Sequence, residues 1–238
     1  MTNLEGRVLR RRRVIAPPAG VRTDLETLAA LSARLGAGQH IDADPKATFD
    51  ELRRASAGGL ADYAGITWER IDAEDGVFWP CPSEDHPGTP RMFAESFATA
   101  DGRARFVAVE HRQVAEDIDP DYPVYLTTGR VLAHYQSGAQ TRRVPALVDA
   151  APEVFVEVHP DLAARVGLAD GDRCHVVSRR GSVEAVARLT ATIRADTVFM
   201  PFHWGGRGRA NNVTNPALDP VSKMPEFKVC AVRVEAVS

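Results

Sequence analysis

The sequence predicts a mixed α/β chain whose second half is a compact β-barrel. Three observations carry that expectation. Beyond Asp117, short apolar runs alternate with turn residues at 124–126, 154–158, 175–178, 183–189, 197–200 and 229–234. Before it, only two stretches show clear helical spacing. Between those helices and the runs lies a proline-rich segment that neither helix interior nor central strand accommodates.

The opening residues lead through Val8-Leu9 into Arg10-Arg11-Arg12-Arg13 and then Val14-Ile15, which reads as a strand or extended segment with a charged edge. The run lacks interleaved aromatics and a wider basic surface, so a solvated face or a contact with other polypeptide is expected rather than nucleic acid. The first helix begins at Asp24. Leu25, Leu28, Ala29, Ser32 and Leu35 recur on one face, Thr23 or Asp24 caps the start, and Gly36 ends it. A second helix is expected over 46–56, with Phe49, Leu52 and Arg53 on neighbouring turns and Gly58-Gly59 as its stop. From Gly65 to Phe106 regularity fades into a long structured loop containing Trp79-Pro80-Cys81-Pro82 and His86-Pro87-Gly88-Thr89-Pro90. Strand character returns at 104–109. The charged linker Glu116-Asp117-Ile118-Asp119-Pro120-Asp121 then divides the chain into 1–116 and 117–238. Within the second part, 161–166 reads as one short helix and Asp170-Gly171-Asp172 as a tight turn before a strand.

Bulk composition narrows the classes. A chain of 238 residues, 44% hydrophobic and 26% charged, has room for one large or two modest domains. The net charge of −3 produces no field that would gather nucleic acid or a membrane surface. The first residues are polar, without the apolar core of a secretory signal, and no run is long enough to span a bilayer; a cytoplasmic location is expected. Cys81, Cys174 and Cys230 form no C-x-x-C motif and are expected to act as small buried hydrophobes.

Three clusters carry chemistry. The first runs from Thr127 to Arg143: a strand ends, Gly129 permits close backbone approach, and hydroxyl, imidazole, phenol and guanidinium groups follow at short spacing. Arginine clamps phosphate through paired N–H donors, and Ser, Thr and Gln orient hydroxyls and ring edges. The second, Ser178-Arg179-Arg180-Gly181-Ser182, reads as a hairpin with Gly181 at positive φ, more a structural or inter-domain feature than a ligand site. The third starts with Pro201-Phe202-His203-Trp204-Gly205-Gly206, continues through Ala210-Asn211-Asn212-Val213-Thr214 and Ser222-Lys223, and ends in Phe227-Lys228-Val229-Cys230-Ala231-Val232. Its amides, cations and backbone N–H groups suit a polyphosphate ligand.

Together these clusters resemble the C-terminal domain of the molybdopterin oxidoreductases of the DMSO reductase superfamily, which include assimilatory and periplasmic nitrate reductases and formate dehydrogenases. The stretch from Thr128 to Arg143 resembles the family's Thr-Gly-Arg…His-Tyr/Trp…Ser/Thr-Gly…Thr-Arg-Arg pattern. Pro201-Phe202-His203, Ala210-Asn211-Asn212-Val213-Thr214 and the 222–232 ending are similar to three further motifs. Before the barrel, Asn3-Leu4-Glu5-Gly6-Arg7 is similar to the segment that follows the family's Gly-Thr-x-Thr-Asn motif, and Gly65-Ile66-Thr67-Trp68-Glu69 and Trp79-Pro80-Cys81-Pro82 are similar to the stretch leading into the final domain of assimilatory nitrate reductases.

The resemblance implies a six-stranded double-psi β-barrel over 117–238, preceded in 1–116 by a partial, mainly helical or irregular remnant of an α/β domain. It implies molybdopterin guanine dinucleotide as the cofactor, bound through Thr128, Gly129, Arg130, His134, Tyr135, Gln136, Ser137, Asn211 and Lys228, with His203 near the substrate funnel. In the complete enzyme the molybdenum would carry two such dinucleotides, and a [4Fe–4S] cluster would sit in an N-terminal part. The cysteine-rich cluster segment and the molybdenum-ligand region of the family have no counterpart in these 238 residues, so no catalytic residue and no metal ligand is assigned to them. The chain is therefore expected to be a fragment, a split subunit or a truncated paralogue, exposing apolar surface when isolated and inactive alone. Expected partners are an N-terminal catalytic portion, an electron donor protein or domain and a small anion, without nucleic acid or membrane. Reduction of nitrate to nitrite is the expected reaction. Alternatives are a formate dehydrogenase-like portion, a non-catalytic cofactor-binding module and, remotely, a barrel self-cleaving at Gly181-Ser182.

Overall fold

The computed structural model describes residues 1–36 and 41–237, which fall into two compact units, Met1–Ala108 and Val109–Ser238.

In the first unit a two-residue strand β1 (Arg7–Val8) pairs antiparallel with β2 (Val77–Phe78). Helix α1 (Asp24–Arg34) starts with a capping box: the Thr23 hydroxyl accepts from the Glu26 N–H while the Glu26 carboxylate accepts from the Thr23 N–H. Helix α2 (Pro45–Ser56) is capped by Asp44, with proline in its first turn, where the missing N–H costs nothing. A third helix, α3 (Trp68–Ala73), starts at a Thr67 cap inside the stretch expected to be irregular. Its six residues are too few to show a period, so the cap is its only sequence signal. The core is small, with Val8, Ile66, Ile71, Val77 and Cys81 packed by Phe49, Tyr63 and Trp79. No residue of α1 is buried, so its apolar positions Leu28 and Leu31, and Leu35 at its C-cap, face outward.

Two expectations for this region are corrected. Residues 104–109 form no strand, and Phe106 is 96% exposed. A run of aromatic and β-branched residues does not make a strand when no neighbour supplies ladder partners. The arginine run is likewise not part of a strand. Arg10 and Arg12 both pair with Asp72 of α3, and the Arg10 guanidinium lies 4.7 Å from the Trp68 ring centroid.

The second unit is a closed barrel of six strands: β3 (Val124–Gly129), β4 (Phe155–Val158), β5 (Arg173–Ser178), β6 (Gly181–Leu189), β7 (Thr197–Pro201) and β8 (Cys230–Ala236). Their order around the barrel is β3-β7-β4-β6-β5-β8. The pairs β3–β7 and β4–β6 are parallel and the others antiparallel. This interleaved mixed pairing is the double-psi arrangement, and closure leaves no free sheet edge.

The sequence alternates to match. Val124, Leu126 and Thr128 point inward from β3, Cys174 and Val176 from β5, and Val183, Ala185 and Ala187 from β6. Small residues and thiols fill the narrow interior. All three cysteines are free and buried, and burial pushes the Cys174 thiol up to about 11. Helices α4 (Pro145–Ala150) and α5 (Pro160–Val166) complete the unit, α5 adding Leu162 and Ala163 to the barrel core.

The β5–β6 hairpin turns through Arg179-Arg180, with Ser178 opposite Gly181 in register. Gly181 does not adopt the left-handed φ expected of it. Its smallness is needed because a Cβ there would stand 3.2 Å from the Asn212 carbonyl oxygen.

Truncating Leu126, fully buried in β3, to alanine is expected to destabilise the barrel by about 2–5 kcal/mol. The same change at Leu28, 50% exposed on α1, should cost under about 0.5 kcal/mol. Thermal melting of the two variants checks the contrast.

Candidate functional site

The parallel pairing of β3 with β7 sets Gly129 opposite Pro201. The segments that follow both strands therefore leave the barrel at the same end, side by side. Those segments are the first and third clusters of the sequence, and bonds between them make them one structure. The Phe202 N–H donates to the Gly129 carbonyl at 3.2 Å. His203, fully buried, accepts the Val131 N–H at Nε2 (2.9 Å), which leaves Nδ1–H to donate to the Gln136 carbonyl. Gly138 (φ 71°) passes so close that a Cβ would lie 2.6 Å from the His203 carbonyl oxygen.

A second histidine works in the same way. His134 is 4% exposed, and its Nε2–H donates to the Ala151 carbonyl at 2.8 Å. Its Nδ1 faces Thr141 Oγ1 at 3.2 Å, and that oxygen also accepts the Tyr135 N–H. Edge-on contact with Trp204, 5.2 Å between centroids, ties this ring to the third cluster.

Around this scaffold lies a cavity of about 1290 Å³ within the second unit. Five cationic side chains line it, Arg130, Arg142, Arg180, Arg209 and Lys228, and no carboxylate does among the described residues. Arg180 is already neutralised: Glu116 accepts from it and from Arg179, and the Arg180 Nη2 also donates to the Val213 carbonyl at 2.9 Å. The same Glu116 accepts the Ala231 N–H at 3.1 Å, and Arg180 holds its carboxyl below the usual range against the upward pull of partial burial.

Of the other four cations, Arg130, Arg142 and Lys228 have only neutral hydrogen-bond partners among the described residues, and Arg209 pairs with no carboxylate among them. Arg130 donates to Gln136 Oε1, Arg142 to the Ser137 and Gly138 carbonyls, and Lys228 Nζ to the Thr128 carbonyl. Phe202, Trp204 and Phe227 supply aromatic wall, and Lys228 Nζ sits 5.6 Å from the Phe202 ring centroid and 5.1 Å from that of Phe227. Uncompensated cations beside aromatic faces are chemistry for an extended anion carrying flat rings.

Of the residues expected to bind the cofactor, Thr128, Arg130, Gln136, Ser137, Asn211 and Lys228 line this cavity. Four expected near it do not line it. Gly129 is pressed against Phe199, whose Cε2 a Cβ would meet at 2.5 Å, so its smallness serves packing. Tyr135 is 70% exposed beside the cavity rather than in it. His134 and His203 are buried braces with both ring nitrogens engaged, His203 holding the Val131 N–H and the Gln136 carbonyl. Arg142, Arg180, Arg209 and Asn215 line the cavity without having been singled out as ligands. Arg142 was legible, since it falls four residues after Gly138, whose carbonyl it bonds. Asn215 gave no signal, because a lone amide in a turn-rich stretch is ordinary.

With the geometry in place, comparison with known proteins gives the following. The family model described as "Molydopterin dinucleotide binding domain" matches residues 124–231, the barrel with both of its cavity loops. The assimilatory nitrate reductase catalytic subunit of Bacillus subtilis is 44% identical, covering 98% of this chain and 33% of that protein. A formate dehydrogenase alpha subunit of Methanocaldococcus jannaschii is 40% identical over 99% of this chain and 34% of its own length. The periplasmic nitrate reductase of Desulfovibrio desulfuricans is 34% identical over 93% of this chain and 32% of its own length. The chain thus spans about a third of the length of the curated relatives it matches. Among solved structures, acetylene hydratase from Pelobacter acetylenicus aligns with a TM-score of 0.45 and 19% identity, over 49% of this chain and 18% of that one.

The His203 brace makes the barrel sensitive to pH. Burial holds its imidazole below the ordinary 6.5, His134 and Arg130 add to this, and the Gln136 carbonyl opposes it. Below pH 6.5 the unfolded chain takes up a proton that the folded chain resists. The contribution of His203 is therefore complete above that pH and declines as pH falls through the window beneath it. Denaturant titrations of wild type and His203→Gln across this range should show the steeper loss in wild type.

Proposed function

Residues 124–231 are a molydopterin dinucleotide binding domain, and from that premise we propose that this chain is the cofactor-holding C-terminal part of a molybdenum oxidoreductase that reduces nitrate to nitrite. The observation that carries the reading is the cavity itself. Loops from the matched region line an open cavity of about 1290 Å³, with four cations that have no carboxylate partner among the described residues and no acidic residue among the described lining. A buried amide nitrogen of Asn215, on the same wall, lacks any hydrogen-bond partner among the described residues. A dianionic pyrophosphate between two heterocycles answers both features.

In this reading Arg130, Arg142, Arg209 and Lys228 neutralise the pyrophosphate. Thr128, Gln136, Ser137 and Asn211 orient hydroxyls and ring edges, and Phe202, Trp204 and Phe227 cover the flat rings. Lys228 is preorganised, because the Thr128 carbonyl holds its ammonium while the Thr128 hydroxyl donates to the Phe227 carbonyl at 3.3 Å. When bound, the molybdenum–dithiolene group supplies the oxygen-atom or two-electron transfer. The chain's own residues bind the dinucleotide, cancel its charge and keep water from its rings.

The rest of the enzyme belongs to the same proposal. Residues 1–116 would pack against an N-terminal catalytic portion that carries the [4Fe–4S] cluster and the metal ligand, and that portion would receive electrons from a donor protein or domain. This chain alone would bind without turning over. A cytoplasmic location is part of the same proposal. Among the described residues no helix is long and apolar enough to cross a membrane. A second reading, a formate dehydrogenase portion, is favoured by the 40% identity to an alpha subunit of that activity.

Mass spectrometry of the purified chain should detect bound guanine dinucleotide, and Lys228→Ala should weaken its binding roughly tenfold or more. Wild-type chain that takes up no dinucleotide would contradict the proposal. Viologen-driven nitrate reduction after co-expression with an N-terminal catalytic portion supports the nitrate reading, and formate-driven dye reduction without it supports the second.

A further inference from the structure

Asn215 stands at the foot of an arm formed by residues 217–226. Leu218 pairs antiparallel with Pro225 there, and the Glu226 N–H meets the Ala217 carbonyl at 2.8 Å. The Asn215 backbone N–H donates to Cys230 Sγ (3.0 Å), and its Oδ1 accepts from the Ala217 N–H (2.9 Å). The second bond fixes the orientation of the carboxamide, because exchanging its ends would set an NH2 group against the Ala217 N–H. Nδ2 is therefore the end left over. The residue is 5% exposed, and Nδ2 is buried without a hydrogen-bond partner among the described residues. Orphaned buried donors are rare in native proteins because an unmade bond there is destabilising.

Asn215 also lines the cavity, and so do its neighbours Pro216, Leu218, Pro225 and Phe227. That part of the lining is mostly apolar, with Thr214 beside Asn215 and the Lys228 ammonium over the Phe227 ring as its polar members. A phosphate oxygen has four cations available in the same cavity and gains little from a neutral amide in an apolar wall. A flat fused ring suits the wall better, laying its faces on apolar side chains and presenting an in-plane oxygen to the amide.

We propose that Asn215 is a specificity-determining residue whose Nδ2–H donates to the lactam carbonyl of a fused heterocycle, the group that the guanine and pterin ends of the dinucleotide share. The inference rests on the cofactor reading above and adds to it a residue that selects the ring. An adenine, which carries an amino donor where guanine carries its carbonyl, finds donor facing donor.

The test uses the full chain, uniformly labelled with nitrogen-15. The Asn215 NH2 signal pair is assigned as the one lost in Asn215→Asp, a variant that keeps the acceptor for the Ala217 N–H. GDP, 6-hydroxymethylpterin, ADP and inorganic pyrophosphate are titrated separately, with calorimetry alongside. A downfield shift of the pair by GDP alone identifies guanine, by the pterin alone the pterin end, and by both the shared group; ADP and pyrophosphate should leave it in place. Affinity for the shifting ligand should fall roughly tenfold in the variant. Binding of GDP or the pterin with the pair unmoved, or an equal shift with ADP, overturns the inference and leaves the cofactor reading standing. Failure of the wild-type chain to bind any of the four probes overturns both.

Discussion

The structure of the site depends on one register: β3 runs parallel to β7 with Gly129 opposite Pro201. Two sequence clusters separated by some seventy residues leave the barrel at the same end because of it. His203 then spans them, its two ring nitrogens holding the Val131 N–H and the Gln136 carbonyl. A neutral imidazole is suited to this, since it alone among side chains offers one donor and one acceptor on opposite sides of a rigid ring. The brace also supports an unfavourable conformation, since Gln136 sits at φ 49°, a region that costs a non-glycine residue about 1–2 kcal/mol. Removing either bond would release the loop that carries Arg130, Gln136 and Ser137.

Charge is organised on the same frame. The cavity gathers five cations, which repel one another in a partly desolvated space. Glu116 relieves one of them, binding Arg179, Arg180 and the Ala231 N–H together. The carboxylate thus fastens the segment entering the barrel to the β5–β6 turn and to β8, and leaves Arg180 acting on the Val213 carbonyl. Arg130, Arg142 and Lys228 lean on backbone carbonyls and an amide, partners too weak to compete with a pyrophosphate. The cavity is stabilised enough to exist and retains the charge that a dinucleotide would cancel.

The barrel was legible in the sequence because its strands alternate cleanly, as β3 and β6 do, and because closure needs that alternation on every strand. The parts missed were those with no period to read. Strands of two residues and a helix of six, β1, β2 and α3, leave only caps and partners as traces. The stretch 104–109 is mostly apolar, with a phenylalanine and two valines, and still forms no strand, since no ladder partner pairs with it among the described residues. At the site, the sequence identified the loops but not how the work is divided within them. Thr128, Arg130, Gln136, Ser137, Asn211 and Lys228 reach the cavity, whereas His134 and His203 turn inward as braces. Composition cannot separate a histidine that holds a loop from one that meets a ligand, because the imidazole chemistry is the same and only burial differs.

The central claim is that the loops following β3 and β7 form the dinucleotide site. Hydrogen–deuterium exchange on the full chain with and without added molybdopterin guanine dinucleotide tests it most directly. Slower exchange is expected, confined to residues 128–143 and 202–228, with the first unit unchanged. Protection in the first unit alone, or no change in these loops under saturating cofactor, would contradict it.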